Sequence, residues 1–174
     1  MKRWLASLGS VLLLCSFIVN PVYAAEALSA PQPKAEIIAT DKAAATVQNE
    51  ESVDYLTDKT RGTKKPSTSS TWDIYLQDYV FNLDFDTNVY SNYNFTNHGG
   101  EIKVSVTCES SNPNKIKMEL YAAGTDDCRA TLELNPSGTT TGRFYNLDLK
   151  TNYYFKFVTP DGYSVRGEGR LYKE

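Results

Sequence analysis

The sequence predicts an all-β protein, an antiparallel β-sandwich of Greek-key or jelly-roll type with about 7–9 strands. Three observations carry that expectation. From Tyr79 onward the apolar residues recur with a period of two, turn-forming clusters punctuate the chain at short intervals, and nothing between them has the spacing of an amphipathic helix. Alternation puts one face of a strand in the core and the other in water. Short strands joined by turns, with no helices to cover a parallel sheet, close into a sandwich or barrel.

Residues 1–24 read as an export signal. Lys2 and Arg3 form a positive start, Leu5 to Val19 is mostly apolar, and Asn20-Pro21 precedes the small-residue site Val22-Tyr23-Ala24. Cleavage is expected after Ala24 or Ala25, leaving a secreted chain with no stable membrane insertion. The run Leu12-Leu13-Leu14-Cys15 has the outline of a lipoprotein signal, but Leu14 stands where such signals carry Gly, Ala or Ser. Cys15 is therefore read as apolar filler in the discarded peptide.

Residues 25–71 read as a disordered linker. They hold one aromatic residue, Tyr55, and six Lys/Arg against seven Asp/Glu, ending in the run Thr63-Lys64-Lys65-Pro66-Ser67-Thr68-Ser69-Ser70-Thr71. So little apolar surface does not offset the entropy of ordering the backbone, so the segment is expected to act as a propeptide or spacer with at most a transient helix near Pro33 to Asn49.

Residues 72–174 are long enough for one domain with a single core. Tyr79, Phe81, Leu83 and Phe85 share a face, as do Ile102, Val104, Val106 and Cys108, and then Ile116, Met118 and Leu120. Cys128, Ala130, Leu132 and Leu134 alternate with polar residues, as do Tyr153, Phe155 and Phe157 with Tyr154 and Lys156. Turns are expected at Asn97-His98-Gly99-Gly100, Ser111-Asn112-Pro113-Asn114, Ala123-Gly124-Thr125-Asp126, Asn135-Pro136-Ser137-Gly138 and Pro160-Asp161-Gly162.

In Leu147-Asp148-Leu149-Lys150-Thr151-Asn152-Tyr153-Tyr154-Phe155-Lys156-Phe157, a Leu strand end, a turn and a Tyr opening an alternating strand match a tyrosine corner, whose hydroxyl bonds back to the upstream backbone. The stretch resembles the E to F corner of fibronectin type III domains, although Leu149 stands where that family usually has Pro. Tyr93-Asn94-Phe95 through Gly99-Gly100 to Ile102-Lys103-Val104, then Met118-Glu119-Leu120-Tyr121 and Asn152 to Phe157, are similar to the pre-peptidase C-terminal jelly-roll domains found beside secreted bacterial peptidases. Either resemblance implies a noncatalytic accessory or binding sandwich and supplies no active-site residue.

Cys108 and Cys128 remain after signal removal, each on the apolar side of its strand by parity, and in an exported chain they are expected to form a disulfide. His98 is the only histidine and reads as an exposed turn residue, with no GxSxG elbow to supply a nucleophile. Asp84, Asp86 and Asn88 offer oxygens at alternate positions, and Asp126 and Asp127 lie side by side. These are weak calcium candidates, because an EF-hand would need Gly and Glu where Val89 and Phe95 stand. The domain carries ten Lys/Arg against fourteen Asp/Glu, which disfavours nucleic acid, and it lacks nucleotide-binding glycine motifs. No cofactor is expected.

The leading reading is a secreted, noncatalytic binding module for an extracellular protein or polysaccharide. Its support is a set of aromatic residues on outward faces: Tyr75, Tyr90, Tyr121, Phe144, Tyr154 and Tyr172. The alternatives are a structural protein of the envelope, matrix or spore surface and a small secreted hydrolase.

Overall fold

The computed structural model describes residues 31–41, 53–57, 63–111, 113–159 and 162–173, so the expected export signal lies outside the described residues. Twelve strands form among them and no helix. They are β1 (Lys34–Asp41), β2 (Val53–Thr57), β3 (Thr71–Asp73), β4 (Tyr79–Phe85), β5 (Asn88–Tyr90) and β6 (Asn94–Thr96), followed by β7 (Glu101–Ser110), β8 (Ile116–Ala122), β9 (Cys128–Leu134), β10 (Ser137–Tyr145), β11 (Tyr153–Val158) and β12 (Val165–Tyr172).

One sheet runs β1-β10-β7-β12-β4-β2, and the other runs β3-β6-β11-β8-β9 with β5 also paired to β11. The two pack face to face as a β-sandwich. All pairings are antiparallel except β2 on β4 and β3 on β6. Both exceptions are short strands supplied by or adjoining the region before Trp72, each reaching its partner only after the chain has crossed between sheets, as parallel pairing requires.

Parity held where apolar residues marked it. Phe81, Val104, Val106, Leu120, Leu134 and Phe155 are among the fully buried side chains of one continuous core. Aromatic rings bind the two layers, with Phe81 5.4 Å from Phe157 and Phe144 5.2 Å from Phe155. The Phe81 ring packs against β12 at Gly169, where an added Cβ would overlap it. The tyrosine corner forms: the Asp148 backbone N–H donates to the Tyr153 hydroxyl at 3.1 Å.

The structure corrects the linker expectation wherever it describes that segment. Lys34–Asp41 pairs along β10, and Val53–Thr57 pairs along β4 with Leu56 fully buried. Low apolar content did not prevent this, because an edge strand is held by the backbone groups its neighbour leaves unpaired. The β-branched Ile37, Ile38 and Thr40 suit an extended chain, so the Pro33–Asn49 region contains a strand where a transient helix was expected.

Further on, Ser70 N–H donates to Ser67 O at 3.0 Å, and the buried Asn94 amide donates to both Ser67 O (2.7 Å) and Ser70 O (2.9 Å). Trp72 then packs on Tyr79 and Tyr93 at 5.4 and 5.3 Å. The folded unit therefore begins well before Trp72.

Candidate functional site

The outer face of the second sheet gathers three of the tyrosines singled out by sequence. β5, β11 and β8 lie side by side, with Lys156 paired to both Tyr90 and Glu119 and with Tyr154 paired to Tyr121. Alternation turns Leu120 and Phe155 into the core and leaves Tyr90, Tyr154 and Tyr121 on the opposite face. Their rings form a row: Tyr90 to Tyr154 is 6.2 Å between centroids, and Tyr154 to Tyr121 is 5.3 Å with the planes only 14° apart. The Lys156 ammonium stands 5.7 Å from the Tyr90 ring centre.

Each hydroxyl beyond Tyr90 is fixed. Tyr121 donates to the Glu119 carboxylate at 2.8 Å and Tyr154 to the Thr125 carbonyl at 2.9 Å. Burial, with Glu119 beside it, pushes the Tyr121 hydroxyl well above the usual phenol range, and burial pushes Tyr154 up to about 12. Both therefore remain protonated donors.

Tyr154 points outward as parity predicts, yet it is only 1% exposed, enclosed between its two neighbours. It supports the row, while the half-buried Tyr90 and Tyr121 present it. Thr125, which holds Tyr154, also lines a groove of about 350 Å³ with Pro33, Ala123, Arg129, Asp148 and Thr151. The Ala123 to Asp127 turn is braced from the other side by Lys65, bonded to Asp126 at 2.8 Å, and by Thr68 beside Gly124.

The other aromatic candidates lie elsewhere. Tyr75 is 67% exposed in the loop after β3, with the Lys173 ammonium 4.4 Å from its ring centre. Tyr172 is on β12 in the other sheet beside Arg170. Phe144 is fully buried, a correction of the outward reading. Its strand begins Ser137-Gly138-Thr139-Thr140-Thr141-Gly142, where no apolar alternation reveals which side is in.

The expected disulfide is absent, and both cysteines are free thiols. Cys108 faces the core from β7, with burial pushing its pKa up to about 12. Cys128 opens β9 in the opposite sheet, where the register slips between Leu120 and Tyr121. That bulge turns Cys128 to the outer face opposite Tyr121, with its sulfur 3.5 Å from the Thr131 hydroxyl.

His98 is likewise corrected, from an exposed turn residue to one 2% exposed. Its Nδ1 accepts the Gly100 N–H at 3.1 Å, which leaves the proton on Nε2 to be donated to the Thr151 carbonyl at 3.1 Å. Its ring meets the edge of Tyr153 at 5.4 Å. Burial holds its pKa below 6.5.

Of the calcium candidates, Asp84 lies 3.7 Å from Arg166, Asp86 is exposed and Asn88 half-buried, and Asp126 and Asp127 are engaged by Lys65 and Arg129. Among the described residues no three His, Cys, Asp or Glu side chains converge as metal ligands would.

Sequence reasoning missed Glu119, Lys156 and Thr125 as members of the tyrosine face. The first two share strand parity with Tyr121 and Tyr154, so the same alternation could have identified them; the Thr125 carbonyl contact depends on turn geometry. A scan against models of known protein families finds no match to this chain, and a search of curated proteins finds none.

Proposed function

We infer that this sandwich is a noncatalytic binding module acting outside the cell, and that the Tyr90, Tyr154 and Tyr121 face takes its ligand. The observation that carries this reading is the row itself: three rings from three strands, with two hydroxyls fixed by Glu119 and the Thr125 carbonyl, Lys156 at one flank and the Arg129 groove at its end. Rigid tyrosines within a polar rim match the anatomy of protein-contact surfaces, where aromatic residues are enriched. A sugar platform would turn ring faces outward, whereas Tyr121 and Tyr154 turn theirs towards each other. A protein ligand is therefore favoured over a polysaccharide. The extracellular part of the reading rests on the Lys2-Arg3 start, the apolar run and the Val22-Tyr23-Ala24 site.

The test is capture by the immobilised mature chain from the producer's culture supernatant and wall fraction, each divided and half digested with protease. Binding that disappears with digestion supports a protein ligand. Binding that survives digestion and moves to purified wall glycan supports a polysaccharide. Absence of capture from every fraction overturns the reading. A second reading, a structural envelope or matrix protein, is favoured by one feature, the edge strand β1 with its mostly exposed side chains.

A further inference from the structure

We propose that β1 is an exchangeable strand, and that the β1 of one copy of this chain pairs with β10 of a second copy in the register it adopts within its own sandwich. This goes beyond the ligand-binding reading and is independent of the tyrosine face.

β1 is attached almost entirely through its backbone. Seven of its eight residues are exposed, and Ala35 alone packs against the core. It nevertheless closes the sandwich on that side, pairing with β10 of the first sheet and lying against β9 of the second. β10 is shaped to receive it. At Gly142 the Glu36 carbonyl passes 2.7 Å from where a Cβ would lie, so only glycine admits the strand at that depth. Arg143 marks the register, reaching Glu36 at 3.3 Å on one side and Glu101 at 3.6 Å on the other. Nothing in this recognition requires the incoming strand to belong to the same chain.

The connection makes exchange feasible. β1 and β2 occupy opposite edges of the six-stranded sheet, five strand spacings apart, or about 24 Å. Residues 42–52 lie between them in sequence, and a chain of that length reaches about 40 Å. A segment of that length is therefore long enough to join the two edges within one copy or to reach a second copy. A strand held by backbone bonds at the end of such a link is where domain exchange is least costly.

The experiment is cysteine trapping of the register. In a Cys128→Ser background, Glu36→Cys and Arg143→Cys are made in separate chains carrying different affinity tags. The two are mixed, unfolded, refolded together at about 1 mM, near the effective concentration of a short tether, and oxidised. The control replaces Arg143→Cys with Lys117→Cys on the exposed face of β8. A second pair, Ala39→Cys with Thr141→Cys, uses another register position in case Arg143→Cys fails to fold. Because pairing within one chain yields no mixed product, exchange predicts two-tag dimers about tenfold above the control mixture at this concentration. Two-tag dimers at the control level for both pairs would overturn the proposal.

Discussion

Replacing His98 with Ala removes both hydrogen bonds made by a ring that is 2% exposed. The Gly100 N–H and the Thr151 carbonyl lose their partners, and a buried group left without one costs about 1–3 kcal/mol. A groove of about 300 Å³ lined by His98, Gly99, Glu101, Lys103 and Lys173 lets water recover part of this. The expected cost is about 2–4 kcal/mol, once the lost contact with the Tyr153 ring is included. The assay is urea unfolding of both proteins at about pH 7.5 and about pH 5.5. The pH term has a definite sign. Burial lowers the folded pKa of His98 below 6.5, so on acidification the unfolded chain takes up the proton first. Stability from this group is complete above 6.5 and is lost as the pH falls from there towards the folded value. The Ala variant loses that part of the slope. A cost below about 0.5 kcal/mol, with an unchanged slope, is what an exposed turn histidine would give, and it would refute the buried placement.

Four further outcomes follow from the packing. Of the two cysteines among the described residues, native alkylation modifies Cys128, and Cys108 reacts only after unfolding, as mass spectrometry of the labelled protein would show. Tyr153→Phe removes the hydroxyl that accepts the Asp148 N–H and costs about 0.5–1.5 kcal/mol in urea unfolding, with the fold retained. Leu56→Ala costs about 2–5 kcal/mol, because that side chain is fully buried; a neutral result would mean that β2 contributes no core. Gly169→Val lowers the melting temperature strongly, since its side chain would occupy the space of the Phe81 ring.

The central strands were legible because apolar alternation reports burial directly, as in Ile102 to Cys108 and Tyr153 to Phe157. The corner hydrogen bond was legible because a short local motif dictates it. Four features were not, each for a physical reason. β1 is joined to the sheet almost entirely by backbone groups, which leave no trace in composition, and β2 adds only one fully buried side chain, Leu56. Phe144 follows a run of threonines and glycines with no apolar period. Cys128 lies past a bulge that reverses parity. His98 follows Asn97 at φ 53° and precedes Gly99 at φ 63°, a left-handed turn that folds the ring back onto Tyr153. Of the site, strand parity turned Tyr90, Tyr121 and Tyr154 outward, each on its own strand, but their assembly into a row on one face depends on which strands are neighbours, and that is a property of the fold.

The most direct test of the tyrosine face compares the wild-type chain with Tyr90→Ala/Tyr121→Ala and with Tyr75→Ala in quantitative capture from the producer's supernatant and wall fraction, beside a melting curve of each. The double variant is expected to retain its fold and lose most of the captured material, since a central ring of a contact surface is worth about 1–3 kcal/mol, while Tyr75→Ala binds as the wild type does. Undiminished capture by a folded double variant would contradict the assignment of this face.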